Sequence, residues 1–347
     1  QMLAGIAVAG PISLFMGRFG RRAGFLLGAM ALVVGGGLAI VAVQAMSFAL
    51  LCLAHAMLGG ALICFNFFRF AASEAVSPEL RPQAISLTLA SGLVAALIGP
   101  EVFAFSKDAL APLPLAGAYV GIVALGFLGA LPVLGLSMPA ARPAQTQLVR
   151  ANIKGIVLEN PRVLRAILVA ALSQAVMVLL MTPTPLAMVG CGFGDTQAAD
   201  VIRWHIVAMF GPGFFTGSII AQFGAGRVAA AGVALLLISA IIAWSGMDLL
   251  NFYTALMILG VGWNFAFVSS TQMLQSELSE EEAPAMQGFN DTILAIAAAL
   301  ASLLSGALYV GMGWVGLATF AIPMTLVIAT LLYQARRRET AATSPSS

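Results

Sequence analysis

Ser13-Leu-Phe-Met-Gly17-Arg18-Phe19-Gly20-Arg21-Arg22 and Gly217-Ser-Ile-Ile-Ala221-Gln222-Phe223-Gly224-Ala225-Gly226-Arg227 are two versions of one turn. Each closes an apolar run, passes through Phe-Gly and opens onto basic residues, and the shared Phe-Gly sets an offset of 204. A second echo lies inside apolar runs. Cys64-Phe65-Asn66-Phe67-Phe68 aligns with Gly262-Trp263-Asn264-Phe265-Ala266 at an offset of 198. A chain that echoes itself at this distance is built from two similar halves. If the apolar runs cross a membrane in alternation, both turns fall on one side and both asparagines lie in spans that descend toward it, so the repeat is parallel.

The runs that carry these echoes are too many and too apolar for a water-soluble core. Of 347 residues, 61% are apolar and 9% charged, and the mean hydropathy is +1.00. A helix needs about 20 mostly apolar residues to cross a bilayer, where an unpaired backbone group costs several kcal/mol. Cutting the chain at charged and helix-breaking residues predicts spans at 2–16, 24–44, 48–70, 84–105, 115–138, 165–189, 201–223, 227–246, 250–272, 289–310 and 312–334. The runs are continuous rather than alternating and about twice the length of a barrel strand, which argues against a transmembrane barrel.

Charge placement supports that number of crossings. If the loop bearing Arg18, Arg21 and Arg22 is cytoplasmic, alternation brings Arg69, Arg81, Arg142, Arg150, Lys154, Arg162, Arg165, Arg227, Arg336, Arg337 and Arg338 to the same side. Lys107 and Arg203 alone lie opposite, and one miscounted span would scramble the pattern. The net charge of +2 implies no nucleic-acid partner. Gln1 opens directly inside an apolar run whose basic cluster follows it, the reverse of a signal peptide. The expectation is a chain that begins after a missing first helix, with its C-terminus cytoplasmic. Cys52 and Cys64 share one helix about 18 Å apart and cannot pair; Cys191 falls in an outer loop, and no metal-type spacing occurs.

The charged, proline-containing stretch from Pro139 onward reads as a linker, giving an N-terminal bundle at 1–138, a cytoplasmic linker at 139–164, a C-terminal six-helix bundle at 165–335 and a cytoplasmic tail at 336–347. Gly20-Arg21-Arg22 preceded by Arg18, together with the two-bundle repeat, resembles the major facilitator superfamily (MFS) over essentially the whole chain. The resemblance implies an all-α polytopic membrane protein of two pseudo-symmetric helical bundles, with eleven of twelve transmembrane helices present. It also implies a central solute cavity lined chiefly by the first, fourth, seventh and tenth family helices, here the missing helix and 48–70, 165–189 and 250–272. Departures stand beside the matches. Ser13 and Gly17 occupy positions where the family usually has Gly and Asp. His55 precedes Gly59 where an Arg is usual, and Gly99-Pro100 is followed by Phe103 and Ala104 in place of a glycine pair.

Polar groups at bilayer depth are costly and are therefore candidates for function. His55 either titrates as a coupling group or packs as a neutral histidine. Asn66 and Asn264, preceded by Phe65 and Trp263, either line the cavity or bond helix to helix. Arg69 either snorkels or meets an anionic partner. Gln174, Thr182 and Thr184 share a span with Pro183 and Pro185, whose missing donors make a gate or a passive kink, as does Gly211-Pro212-Gly213. Arg203, Trp204 and His205 read as the interfacial start of a span. Asp291 reads as the opening residue of another, either capping it or pairing with Arg18 or Arg21 to hold the cytoplasmic side closed. Arg22, Gly20, Gly99 and Pro100 complete the candidate gating set.

The function expected is that of a permease: secondary active transport of a small organic solute across the bacterial inner membrane by alternating access, driven by protons or by a substrate gradient. No nucleotide-binding Gly-Lys-Ser/Thr loop is present, and no cofactor or metal is implied. The alternatives are a receptor or assembly protein that keeps the fold without flux, and a membrane-embedded enzyme. The enzyme is disfavoured by two histidines in distant spans and the lack of a paired intramembrane acid. The neutral amides, threonines and aromatics suit an uncharged, weakly polar solute. Some bacterial members of similar pattern are regarded as vitamin or drug carriers, riboflavin-type ones among them. The protein is expected to act as a monomer.

Overall fold

Gly20 and Gly224 take the same left-handed, extended backbone, φ 88 and ψ 158 at the first and φ 85 and ψ 146 at the second. A residue with a side chain is strained there, whereas glycine is not. Each therefore ends one helix and starts the next at a one-residue corner. The repeated sequence is a repeated geometry.

The computed structural model describes residues 2–106, 108–113, 116–136 and 153–343. Residues 139–152 of the expected linker, Lys107, and the side chains of Pro100 and of the expected tail lie outside the described residues. The helices in chain order are α1 (Met2–Phe19), α2 (Arg21–Gln44), α3 (Phe48–Asn66), α4 (Phe68–Glu74), α5 (Arg81–Ser106), α6 (Ala116–Gly135), α7 (Ile153–Glu159) and α8 (Pro161–Met181). They continue with α9 (Thr184–Gly190), α10 (Asp195–Phe210), α11 (Gly213–Phe223), α12 (Ala225–Ser245), α13 (Leu249–Ser276) and α14 (Ala283–Thr343).

Among the described residues, nine helical stretches are long and apolar enough to cross a membrane. The last, Ala283–Gln334, holds two crossings joined at Gly313, whose φ of 68 and ψ of −172 interrupt α14. With the shorter apolar helix Ala4–Phe19, the crossings reach the eleven expected.

Three predicted spans are broken helices. Residues 48–70 divide at Phe67 into α3 and α4, 165–189 divide at Thr182 and Pro183 into α8 and α9, and 201–223 divide at Gly211 and Pro212 into α10 and α11. Two helices begin six residues before their predicted spans, 195 against 201 and 283 against 289. α10 opens at Asp195, so Arg203 to His205 lie in its interior rather than at its start, and His205 is fully buried. α14 opens at Ala283, which places Asp291 past two helical turns and not at a cap.

The described residues pack as two compact units. The first comprises Gln1–Ala75, Val94–Ile153 and Leu278–Ala295; the second comprises Val76–Leu93, Lys154–Glu277 and Ile296–Ser347. In the first, α2 packs against α3 and α6, and α1 against α3. Its apolar centre includes Met16, Phe25, Cys64, Phe67 and Phe70. In the second, α13 is central, packing against α8, α10 and α12. Glycine permits the closest approaches: a Cβ on Gly232 of α12 would lie 2.5 Å from the Ala266 nitrogen of α13. Small residues at helix seams allow backbones to close up where lipid supplies no hydrophobic drive between helices.

Candidate transport site

The first unit concentrates its charge around the opening turns of α14. Arg69 is buried in α4, and its Nη2 donates to Asp291 Oδ1 while its Nη1 donates to the Asn66 carbonyl at 3.1 Å. Asn290 Nδ2 donates to the same Asp291 oxygen at 3.0 Å, and the guanidinium lies 4.4 Å from the centre of the Phe70 ring. Two ions buried together are tolerable only when each is well satisfied by its partner and by further hydrogen bonds.

Arg21, at the start of α2, makes a second clamp. It forks onto Glu74, with Nε donating to Oε2 at 3.0 Å and Nη2 to Oε1, and Nη2 also donates to Gln287 Oε1 at 2.6 Å. Gln287 Nε2 returns a bond to Glu74 at 3.2 Å. Ser13 donates to the Pro284 carbonyl, and Gly288 lies against Ser13 and Gly10 with no room for a side chain. Arg22 donates to the Leu134 carbonyl, and Arg18 is exposed over the Phe19 ring. The expected partner of Asp291 was Arg18 or Arg21; the structure gives Arg69, because the earlier helix start carries Asp291 to α4.

His55 sits apart from this cluster. Its Nδ1 faces the Leu51 carbonyl at 2.9 Å and its ring meets Tyr119 edge-on, with the hydroxyl 3.5 Å from Nε2. A carbonyl only accepts, so Nδ1 carries a proton. Asn66 is exposed at the end of α3, and Phe65 stacks on Phe68. Gly99 is exposed in α5 with open space around it.

In the second unit an aromatic and amide cluster joins α8, α10 and α13. Trp263 stacks on Phe267 at 4.7 Å between ring centres and meets Phe210 edge-on at 6.2 Å. Its indole N–H donates to Gln174 Oε1 at 2.8 Å. Gln174 is half-buried, and Trp263 is 5% exposed. Asn264, the next residue, is fully buried and engaged at both ends: its Oδ1 accepts from the Thr216 hydroxyl at 2.7 Å and its Nδ2 donates to the Met209 carbonyl at 2.8 Å. That carbonyl lies just before Pro212 interrupts the helix ladder, so Asn264 stitches the break between α10 and α11. Ser86 of α5 helps from the other side, donating to the Gly213 carbonyl and accepting from the Gly217 N–H at 2.9 Å. At the other proline break, Thr184 donates one turn back to Leu180 at 2.7 Å while Thr182 is exposed.

Sequence reasoning missed Ser86, Gln287 and Glu74. The last two carry no local signal, because only the fold brings Glu74 of α4 and Gln287 of α14 to Arg21. The surroundings of Asn66 and Asn264 within their own units differ. One is at a helix end and exposed; the other is in mid-helix and sealed.

An all-helical chain of many membrane crossings, with broken helices and buried ionic and amide clusters, is a multi-pass membrane protein of the transporter type. The chain belongs to the Major Facilitator Superfamily, whose profile matches residues 1–301. It is 36% identical over 335 residues to the riboflavin transporter RfnT of Brucella anthropi, covering 96% of this chain and 84% of that protein. It is 29% identical over 309 residues to the uncharacterized MFS-type transporter YddS of Bacillus subtilis, covering 83% and 70%. Among solved structures, the E. coli fucose:proton symporter FucP has the same fold with a TM-score of 0.78 at 16% identity, over 95% of this chain and 87% of that one. The human organic anion transporter MFSD10 gives a TM-score of 0.79 at 16% identity, over 95% and 81%. Family and fold are those of transporters and not of an enzyme.

Proposed function

We propose that this transporter carries riboflavin, or a flat heteroaromatic solute closely like it, across a bacterial inner membrane by alternating access. The observation that carries the reading is the 36% identity to a riboflavin transporter along 96% of the chain. The Trp263, Phe210, Phe267 and Gln174 cluster supports it, since stacked rings beside an amide suit a planar solute with polar edges.

The clamps on α14 are the proposed gate. Alternating access requires a set of contacts that holds one state and releases in the other. Arg69 with Asp291, and Arg21 with Glu74 and Gln287, supply such a set. We assign the driving force to a proton gradient, with Asp291 as the group that takes the proton: neutralising it removes the charge that holds Arg69. The basic loops and the C-terminus are assigned to the cytoplasm by the one-sided distribution of arginine and lysine.

The test is uptake of labelled riboflavin by a bacterial riboflavin auxotroph expressing the chain. Saturable uptake abolished by a protonophore is the expected result. Saturable uptake indifferent to the protonophore removes the proton from the scheme and keeps the solute, while absence of uptake by correctly inserted protein refutes the solute.

A further inference from the structure

We infer that Trp263 fixes the polarity of the Gln174 amide, making Gln174 a donor-only reader that selects solutes by a carbonyl-type acceptor on their edge. The inference rests on the reading of this chain as a carrier of flat heteroaromatic solutes and specifies which edge of the solute is recognised.

An amide side chain is ordinarily ambiguous, offering an acceptor and a pair of donors that exchange places by a half-turn. At Gln174 the ambiguity is removed chemically. The indole nitrogen of Trp263 carries a hydrogen and has no lone pair to offer, so it can only donate. The atom 2.8 Å from it must be the amide oxygen. Trp263 cannot turn away, because Phe267 covers it in a stack with 19° between the planes and Phe210 closes on its edge at 84°. With the oxygen committed, the NH2 group is left over, and among the described residues no acceptor meets it. Gln174 is half-buried, so this donor pair stands at an accessible surface beside an aromatic cluster.

A group that can donate and not accept discriminates. It bonds a carbonyl or ring-nitrogen acceptor and leaves an N–H edge of the solute unpaired. Leaving a polar group unpaired costs more than a made bond gains, which is what turns one amide into a filter. The isoalloxazine ring presents carbonyl oxygens along its pyrimidine edge, and lumichrome keeps that edge without the ribityl chain. Phenazine has a similar flat tricyclic outline, but its two nitrogens sit in the central ring and its outer edges carry no carbonyl or other acceptor.

The test compares Gln174→Glu, Gln174→Met and Trp263→Phe with the unmodified protein in riboflavin uptake, with lumichrome and phenazine as competitors and membrane abundance measured for each. Glu keeps the oxygen that accepts from Trp263 and loses the donors; Met keeps the length and loses both; Phe keeps a ring and frees the amide to turn. The half-saturating riboflavin concentration is expected to rise about tenfold in the two Gln174 variants, with maximal rate per inserted molecule kept, as for one lost hydrogen bond. The preference for lumichrome over phenazine should narrow in all three. If Gln174→Glu is not inserted, the other two variants decide. Unchanged half-saturation and unchanged preference in inserted variants overturn the inference and leave riboflavin transport standing. No riboflavin uptake by the unmodified protein overturns both.

Discussion

Arg69 and Asp291 are 5% and 3% exposed at their side chains, whereas Arg21 and Glu74 are 12% and 41% exposed. The difference decides what each pair is worth. Removing one member of a buried pair strands the other charge and costs about 3–5 kcal/mol, while an exposed pair is worth about 0–1 kcal/mol. Asp291→Ala should therefore lower the thermal unfolding midpoint in detergent far more than Glu74→Ala, which leaves Arg21 its bond to Gln287. Exchanging the two residues, Arg69→Asp with Asp291→Arg, should recover part of the loss. An exchange no better than either single change would dismiss the pairing. The sequence already marked both residues as costly in a bilayer, yet not their partnership. The reason lies at Pro284: it falls before the predicted span 289–310, yet it is in the first turn of α14, where proline's missing N–H is no loss. That shift carries Asp291 into the helix and to Arg69.

At the scale of the helix, the breaks in α10 and α11 are stitched rather than loose. Asn264 and Ser86 each satisfy backbone groups beside Pro212, and Thr216 joins them. Asn264→Ala should cost about 1–3 kcal/mol, the penalty for leaving buried polar groups unpaired, read as a lower unfolding midpoint with the helical content kept. No change in midpoint would mean that water takes over the Met209 carbonyl and that the stitch is dispensable. The helix seams give a sharper contrast. Gly232→Ala would push a Cβ to 2.5 Å from the backbone of α13, whereas a Cβ at Gly99 meets nothing within 4 Å. The first should abolish folded protein in detergent by size-exclusion chromatography, and the second should leave it intact. Equal behaviour would show that the α12 and α13 seam can open. Proline and glycine punctuation made these breaks visible in the sequence; which side chain closes each one was not, since Ser86 and Asn264 reach the break from helices remote in the chain.

For the whole molecule, the two Phe-Gly corners were legible to the residue because only glycine serves a left-handed corner, and they recur with matching angles. The second echo held in sequence but not in shape. α3 stops at Asn66, where Phe67 breaks the helix, while α13 runs unbroken past Asn264 to Ser276. Local sequence repeats record common packing rules, and the neighbours of each copy decide whether the helix continues. The same chain-wide reasoning carries the proposed orientation: basic residues stay on the side from which a membrane protein is inserted, so the corners at Gly20 and Gly224 are expected to face the cytoplasm and the end of α9 to face out. Cys191 tests this directly, because it is exposed just past α9, whereas Cys64 is buried and Cys52, also exposed, lies in the second turn of α3 and is removed for the test. In a Cys52→Ser, Cys64→Ala background, a membrane-impermeant maleimide applied to intact cells should label Cys191. With Cys191→Ser added and a cysteine introduced by Arg227→Cys, at an exposed position after the second corner, labelling should require that the cells be opened. The reverse pattern would turn the molecule over in the membrane, put the α14 clamps at its outer end and make the proposed gate an outer one.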